Sequence, residues 1–257
     1  MNQTARASDF TQRHIPGQPV VLFNAWDAGS AKAIAEAGAS AIATGSWSVA
    51  GAQGFPDGQQ VPLHMLLLIA ARICESVDLP VTIDFEGAYN TDPDGGAENV
   101  EQLMSVGACG INFEDQIIGA EGLHEVSLQS ERIRAIREKA NSLCPDFFIN
   151  ARTDVFLKEP DTSKHSALFD LAAERATAYA AAGASGFFVP GLVDPDLIKN
   201  MCQHTDLPVN IMMKAGGPAI GQLAELGVAR VSYGPGPFVQ MLAWLQEQAR
   251  LALTSGA

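Results

Sequence analysis

Short apolar, β-branched runs alternate with longer Ala- and Leu-rich stretches of helical period along most of the chain. A brief apolar run bounded by turn residues reads as a strand buried on both faces, and the periodic stretch behind it as the helix that carries the chain back. Repetition of that pair predicts parallel βα units. Strands are expected at Val20 to Asn24, Ala41 to Gly45, Val81 to Phe85, Gly110 to Glu114, Phe147 to Ala151, Gly186 to Val189, Val209 to Met212 and Arg230 to Tyr233. These are the eight strands of a closed (β/α)8 TIM-type barrel, an α/β fold occupying residues 1–257 as one domain.

The junctions agree with that reading. AGAS before residue 41, VGAC before 110, AGAS before 186 and LGVA before 230 each place a glycine where a helix closes in the left-handed conformation. DLPV at 78–81 and again at 206–209 sets a proline just ahead of a strand, where a missing amide donor does least harm. A doubly wound sheet would share some of these junctions, but the chain has no early GxGxxG fingerprint. Two βα connections are longer than plain turns. QIIGAEGLHEVSLQSE, after the fourth strand, reads as an active-site loop, and LKEPDTSKHSALFD, after the fifth, as either a lid or a solvated insertion.

Composition narrows the partners. With 257 residues and 47% hydrophobic content the chain can bury one large core. A formal charge of −13 and a pI near 4.7 oppose attraction to nucleic acid or to an anionic membrane, so an anionic substrate has to be held by local charge. Cys74, Cys109, Cys144 and Cys202 have no metal-ligand spacing and are expected as buried, reduced thiols of a cytoplasmic protein. The N-terminal residues lack a signal-type apolar core, and no later stretch is apolar for long enough to span a bilayer.

The candidate chemistry sits at strand ends. Side chains alternate across a strand, so Asp84 and Glu86 share a face, as do Asn112 with Glu114, and Asn150 with Arg152 and Asp154. All can point to one mouth of the barrel. Unpaired buried carboxylates are costly, and a hard, oxygen-binding cation is the natural compensation. Mg2+ fits best, with Mn2+ as an alternative, because zinc would call for nearby histidine or cysteine. Asp57 in GFPDG and Asp27 in NAWDAG also follow apolar runs, although Asp57 could simply make a turn and Asp27 cap a helix. Asp115 is better suited to ordering Arg152 or a loop than to binding metal. His14, His64, His165 and His204 read as structural or solvated; His124 is the histidine placed to test. Trp47 either lines or covers the pocket, and Tyr89 shapes it or donates a hydrogen bond to an enolate.

The runs TGSWSVAGAQGFPDGQ, DFEGAYN, FEDQ, NARTD and VSYGPGP, in that order from about Pro16 to Arg250, resemble the isocitrate lyase/phosphoenolpyruvate mutase superfamily. The resemblance implies a barrel whose last helix is swapped between subunits of a homodimer or homotetramer. It also implies Mg2+ and a small anionic 2-oxo or 2-hydroxy carboxylate. By the same resemblance Asp84 holds the metal most directly, with Glu86 and Glu114 as water-linked partners, and Gly45, Ser46 and Trp47 receive the substrate carboxylate. Arg152 is the substrate-binding cation and Asp57 the mobile aspartate, while Tyr89 and Asn210 complete the expected substrate contacts. Glu114, Arg152 and His124 join Asp57 in the expected catalytic set.

The chain departs from the superfamily in the loop after the fourth strand. Where the lyases carry KKCGH, the chain reads GAEGLHEV, which leaves Glu121, His124 or Glu125 for any proton transfer there. The lysine, asparagine and serine of the mutases are missing as well, and Val189 in VPG offers an apolar wall. The expected activity is a Mg2+-dependent lyase or decarboxylase working through an enolpyruvate-type intermediate. Phosphoenolpyruvate mutase or phosphonopyruvate hydrolase chemistry is the alternative, followed by a non-catalytic metal- and oxoacid-binding barrel. A barrel aldolase, with KAGGP and GPGP cradling phosphate, would have only Lys214 near a strand end for a Schiff base.

Overall fold

The computed structural model describes residues 2–254. Its strands are β1 (Val20–Leu22), β2 (Asn24–Ala25), β3 (Ile42–Thr44), β4 (Val81–Asp84), β5 (Gly110–Glu114), β6 (Phe148–Arg152), β7 (Gly186–Phe188), β8 (Val209–Met212) and β9 (Arg230–Ser232). All pairings are parallel, in the order β1-β9-β8-β7-β6-β5-β4-β3-β2. The two ends of that order are successive pieces of one strand interrupted at Phe23. β1 pairs with β9 and β2 with β3, so the sheet curls round into a TIM-type barrel. The expected strand at Val20 to Asn24 is therefore two short ones. The break lets a single stretch of chain serve both neighbours at the seam.

Helix closure follows the sequence pattern. Gly38, Gly107, Gly183 and Gly227 all have φ between 94° and 103°, where a side chain would be strained, and each leads into the next strand. Asp27 caps the helix Ala28–Glu36 in a reciprocal capping box, accepting from the Ser30 amide at 2.7 Å while its own amide donates to the Ser30 hydroxyl at 3.1 Å. Of the two readings of Asp27, the geometry gives the cap. The second long connection contains a 3-10 turn, Thr162–Lys164, leading directly into the helix His165–Ala181.

The base of the barrel is plugged from below. Phe10, on the helix Gln3–Gln12, packs with Val20, Leu22, Ala41, Ala43 and Phe148, and the buried His14 ring stacks on Phe148 at 3.9 Å between centroids. Above this floor the interior turns polar. Asn150 Nδ2 donates to Asn112 Oδ1 at 2.9 Å and to Asn210 Oδ1 at 3.0 Å, and the buried Arg230 donates to Asn112 Oδ1 at 2.9 Å. The remaining apolar core lies between the strands and the surrounding helices. Cys74, Cys109, Cys144 and Cys202 are all free thiols, the first three of them buried. Among the described residues no helix is long and apolar enough to cross a membrane.

Candidate active site

Parallel strands deliver their C-terminal ends to one mouth, and there the chain forms a cavity of about 200 Å³. The register explains which side chains arrive together: Asp84 on β4 lies opposite Asn112 on β5, and Glu114 on β5 opposite Arg152 on β6. Following the strand order, one arc of the mouth is polar. Asn24, Ser46, Asp57, Asp84, Asn112 and Arg152 line it. The other arc, after β6, presents Leu157, Phe188, Pro190, Met212 and Pro235, with Ser232 on β9 as its polar member.

Asp84 is held from three sides. Its amide donates to Thr44 Oγ1 at 2.9 Å, the Ser46 amide donates to its Oδ2 at 3.0 Å, and Asn112 Nδ2 approaches its Oδ1 at 3.4 Å. Asp57 reaches into the same space from the loop after β3. Burial raises its carboxyl above the usual range and the Asp84 charge pushes it further, against hydrogen bonds from the Ser46 hydroxyl and the Gly58 amide.

Glu86 stands just beyond β4 with φ at +49°, a conformation that costs a non-glycine residue of order 1 kcal/mol or more. The turn continues in that region at Ala88 and Tyr89, both at φ +57°. Arg132, from the helix Val126–Leu143, holds it in place, donating to Gly87 O at 2.6 Å and to Asn90 O at 2.9 Å. Glu86 itself accepts from the Gln59 amide at 2.8 Å. Burial raises its carboxyl to about 8, with Asp57 and Asp84 adding to the shift.

Arg152 is clamped between two acids. Its Nε and Nη2 bond Asp154 at 2.6 and 2.8 Å, and its Nη1 lies 2.8 Å from Glu114. Burial acts against its charge, but Glu114, Asp154 and Asp84 outweigh that and hold the proton more tightly than usual. Burial likewise pushes Glu114 well above the usual carboxylate range, against the pull of Arg152. All three guanidinium nitrogens are thus engaged by acids, and Arg152 still lines the cavity. Asp115 belongs to the layer behind: it accepts from Arg175 at 2.9 Å, Tyr179 at 2.8 Å and the Asp154 amide at 3.1 Å. It thus orders the loop that positions Arg152.

The structure brings Gly45, Ser46, Trp47, Asp57, Asp84 and Arg152 to one cavity, with Glu114 against Arg152. Trp47 lines the cavity and is also 43% exposed, so it both lines and covers. Other expected residues lie apart. Tyr89 and His124 face a neighbouring cleft, beside Gln59, Gln116 and Arg132. The His124 amide donates to Asp115 O and its carbonyl accepts from Arg175, which ties the segment to the layer behind the site. Asn210 is buried inside the barrel, bonded to Asn150 and Ser232. Val189 is fully buried, and Phe188 and Pro190 on either side of it face the cavity instead. Among the described residues no three His, Cys, Asp or Glu side chains converge as a ready cage for a metal, so Asp84, Glu86 and Glu114 do not form one directly.

The phosphoenolpyruvate phosphomutase family profile matches residues 10–253. The chain belongs to this family. It is an enzyme of the phosphoenolpyruvate mutase/isocitrate lyase superfamily, whose members include lyases and mutases. Its fold matches the crystal structure of a putative phosphonomutase from Burkholderia cenocepacia with a TM-score of 0.91 and 45% identity, over 95% of this chain and 99% of that one. It is 36% identical to an uncharacterized protein of Mycobacterium tuberculosis over 229 residues, 89% of this chain and 83% of the relative. It is 27% identical to a 2-methylisocitrate lyase of Escherichia coli over 197 residues, 74% of this chain and 64% of that enzyme.

Several residues that shape the family's site in this chain carry no motif of their own. Asn24 donates to Thr44 O at 2.8 Å and accepts from the Tyr233 and Gly234 amides at 2.9 and 2.8 Å, joining the first strand to the last loop. Arg132 sits in an ordinary charged helix sequence, ERIRAIREKA, and only its 2% exposure distinguishes it from its solvated neighbours. Its helical spacing from Gln129, which accepts from it at 2.6 Å, is the one signal that marks a shared buried face.

Proposed function

We propose that the chain is a Mg2+-dependent carbon-carbon lyase or decarboxylase acting on a small 2-oxo or 2-hydroxy carboxylate through an enolpyruvate-type intermediate. The observation that carries this reading is the pairing of Asp84 with Arg152 across one small cavity. Mg2+ takes one or two protein carboxylates and completes its shell with water and substrate oxygens, which Asp84 with Asp57 beside it can supply room for. The crowding of Asp57, Asp84 and Glu86, with the raised carboxyls of Asp57 and Glu86, fits a site short of one cation. Asp84 would hold the ion directly, with Glu86 and Glu114 acting through water; Mn2+ satisfies the same donors. A divalent cation there supplies Lewis-acid polarisation of a 2-oxo carbonyl.

The chain's own groups do the rest. Arg152 orients the substrate carboxylate, the Ser46 amide and Asn112 fix Asp84, and the Asp57 segment excludes water by closing over the cavity. Phosphonate chemistry is the weaker reading, because the loop after β5 offers no lysine to a phosphonyl group and Glu121 on it is exposed. A panel of oxaloacetate, 2-methylisocitrate, 2,3-dimethylmalate and phosphonopyruvate with Mg2+ tests the assignment. Pyruvate from a carbon-carbon substrate supports it; pyruvate from phosphonopyruvate alone overturns it.

The active form we propose is a homodimer or homotetramer that exchanges its last helix. Within the helix Gly236–Thr254 only Pro237 and Phe238 are buried, and Trp244 and Leu253 are 62% and 81% exposed. The barrel wall beside β1 leaves an apolar groove of about 670 Å³, lined by Val21, Phe23, Ala33 and Ile34, unfilled. A second copy's helix suits that groove. The free thiols fit a cytoplasmic location.

A further inference from the structure

We propose that Arg230 is a further functional residue of the site, whose buried charge makes the divalent cation and the anionic 2-oxo acid bind at the barrel mouth as a pair. It weakens the hold on the cation alone and strengthens the hold on the anion. The inference rests on the metal-dependent reading above and adds to it the condition under which the site fills.

Arg230, on β9, points into the barrel and is 1% exposed. Its guanidinium lies 5.8 Å from the Phe10 ring of the floor, and its Nη2 donates to Asn112 Oδ1 at 2.9 Å. Nε and Nη1 have no hydrogen-bond partner among the described residues. Arg132 and Arg175 are buried to a similar degree, yet each donates to three oxygens. Arg230 is thus a buried cation with unusually little compensation.

Its charge nevertheless persists. Burial lowers its pKa to about 9 while the Asp84 charge acts to raise it, so the group is still a cation at neutral pH. The floor beneath it does not answer that charge. Phe10, Leu22, Ala43 and Phe148 are apolar, and the buried His14 is neutral, its pKa lowered to about 3 by burial and by Arg230 itself. Desolvating a charge without an anion beside it is costly, and folds retain such features where function uses them.

The contact with Asn112 shows where the charge is used. Asn112 Oδ1 accepts from Asn150 Nδ2 as well as from Arg230, so its own Nδ2 turns toward Asp84 Oδ1, 3.4 Å away. One amide therefore separates the guanidinium from the carboxylate proposed to hold the ion. Asn150 keeps that amide oriented without help, which leaves charge as the contribution that Arg230 alone makes. Through protein of effective dielectric ~20, a unit charge within about 10 Å changes the affinity of a doubly charged ligand more than tenfold. Its sign opposes Mg2+ and favours a carboxylate or an enolate. A cation and a dicarboxylate arriving together carry no net charge and feel little of it. The resting mouth consequently holds Mg2+ loosely and retains it once the 2-oxo acid is in place.

The test is calorimetric titration at pH 8 of the wild type, Arg230→Met and Arg230→Gln, first with Mg2+ alone and then with oxalate at saturating Mg2+. Both variants remove the charge and leave Asn112 its bond from Asn150; Gln also keeps a donor at position 230. In both, Mg2+ alone is expected to bind at least about tenfold tighter and oxalate at least about tenfold weaker, while the product of the two constants changes less than either. Melting temperatures should rise, because an uncompensated buried charge has gone. A purely structural role predicts the reverse for Mg2+, with both ligands weakened and the melting temperature lowered. Mg2+ affinity unchanged or reduced in Arg230→Met overturns the inference, as does wild-type behaviour of Arg230→Gln beside an altered Arg230→Met, since geometry would then be the cause. Failure of both variants to fold overturns it too, because the charge would then be needed by the fold. Absence of Mg2+-dependent oxalate binding by the wild type defeats the underlying metal-dependent reading instead.

Discussion

At the scale of single residues, charge compensation organises the site. Arg152 is tied to Glu114 and Asp154 by contacts of 2.6–2.8 Å, and truncating one member of such a buried set typically costs about 3–5 kcal/mol. Arg152→Ala is therefore expected to lower the melting temperature and to weaken oxalate at least about tenfold. Arg152→Lys should recover part of the stability and little of the oxalate affinity, because an ammonium cannot present the planar fork. Calorimetric titration with oxalate beside a thermal melt separates the two effects. Glu86 gives a pH prediction. Its carboxyl rises from 4.5 to about 8 on folding, so the folded state binds the proton more tightly than the unfolded chain. Without added divalent ion, stability should fall as pH rises from 4.5 through about 8, and Mg2+ binding at pH 7 should release protons. Titrations in buffers of different ionisation enthalpy measure that release, and its absence would count against Glu86 as part of the ion's surroundings. Alternation along strands was enough to gather Asp84, Glu114 and Arg152 from the sequence. It could not place His124 or Tyr89, because both lie on irregular segments where no periodicity fixes direction.

At the scale of elements, closures were more legible than interruptions. Gly38, Gly107, Gly183 and Gly227 mark their helix ends because only a residue without a side chain adopts φ near 100° freely. The break at Phe23 had no such marker, since VVLFNA reads as one apolar run and the division arises from pairing to two neighbours at the seam. The left-handed turn at Glu86, Ala88 and Tyr89 was also hidden, because Arg132 imposes it from a helix distant in sequence. Asp27 is the element-scale counterpart of the active-site acids. Similar in its sequence setting, it serves as a cap. Asp27→Ala should cost about 1 kcal/mol and Asp27→Asn much less. Both should leave oxalate affinity unchanged, as read by urea unfolding and by calorimetry; a large loss of oxalate binding would return Asp27 to the site.

For the whole molecule, the barrel supplies position and the mouth supplies chemistry. The fold was legible because parallel βα units repeat; the apolar arc was not, because Leu157, Phe188 and Met212 look like core residues until the barrel places them at its rim. The helix Gly236–Thr254 exposes Trp244, Leu245 and Leu253, and the groove beside β1 is lined by Val21, Phe23 and Ile34, which is the basis of the proposed helix exchange. Replacing both Trp244 and Leu245 by Asp is expected to yield monomers by size-exclusion chromatography with light scattering, and an unchanged assembly would contradict helix exchange. The most direct test of the central claim is calorimetric titration of oxalate into the wild-type protein and Asp84→Ala, with and without Mg2+. Binding that requires Mg2+ and disappears in Asp84→Ala is the predicted result. Equal oxalate affinity in all four cases would contradict a metal-dependent 2-oxo acid site at the barrel mouth.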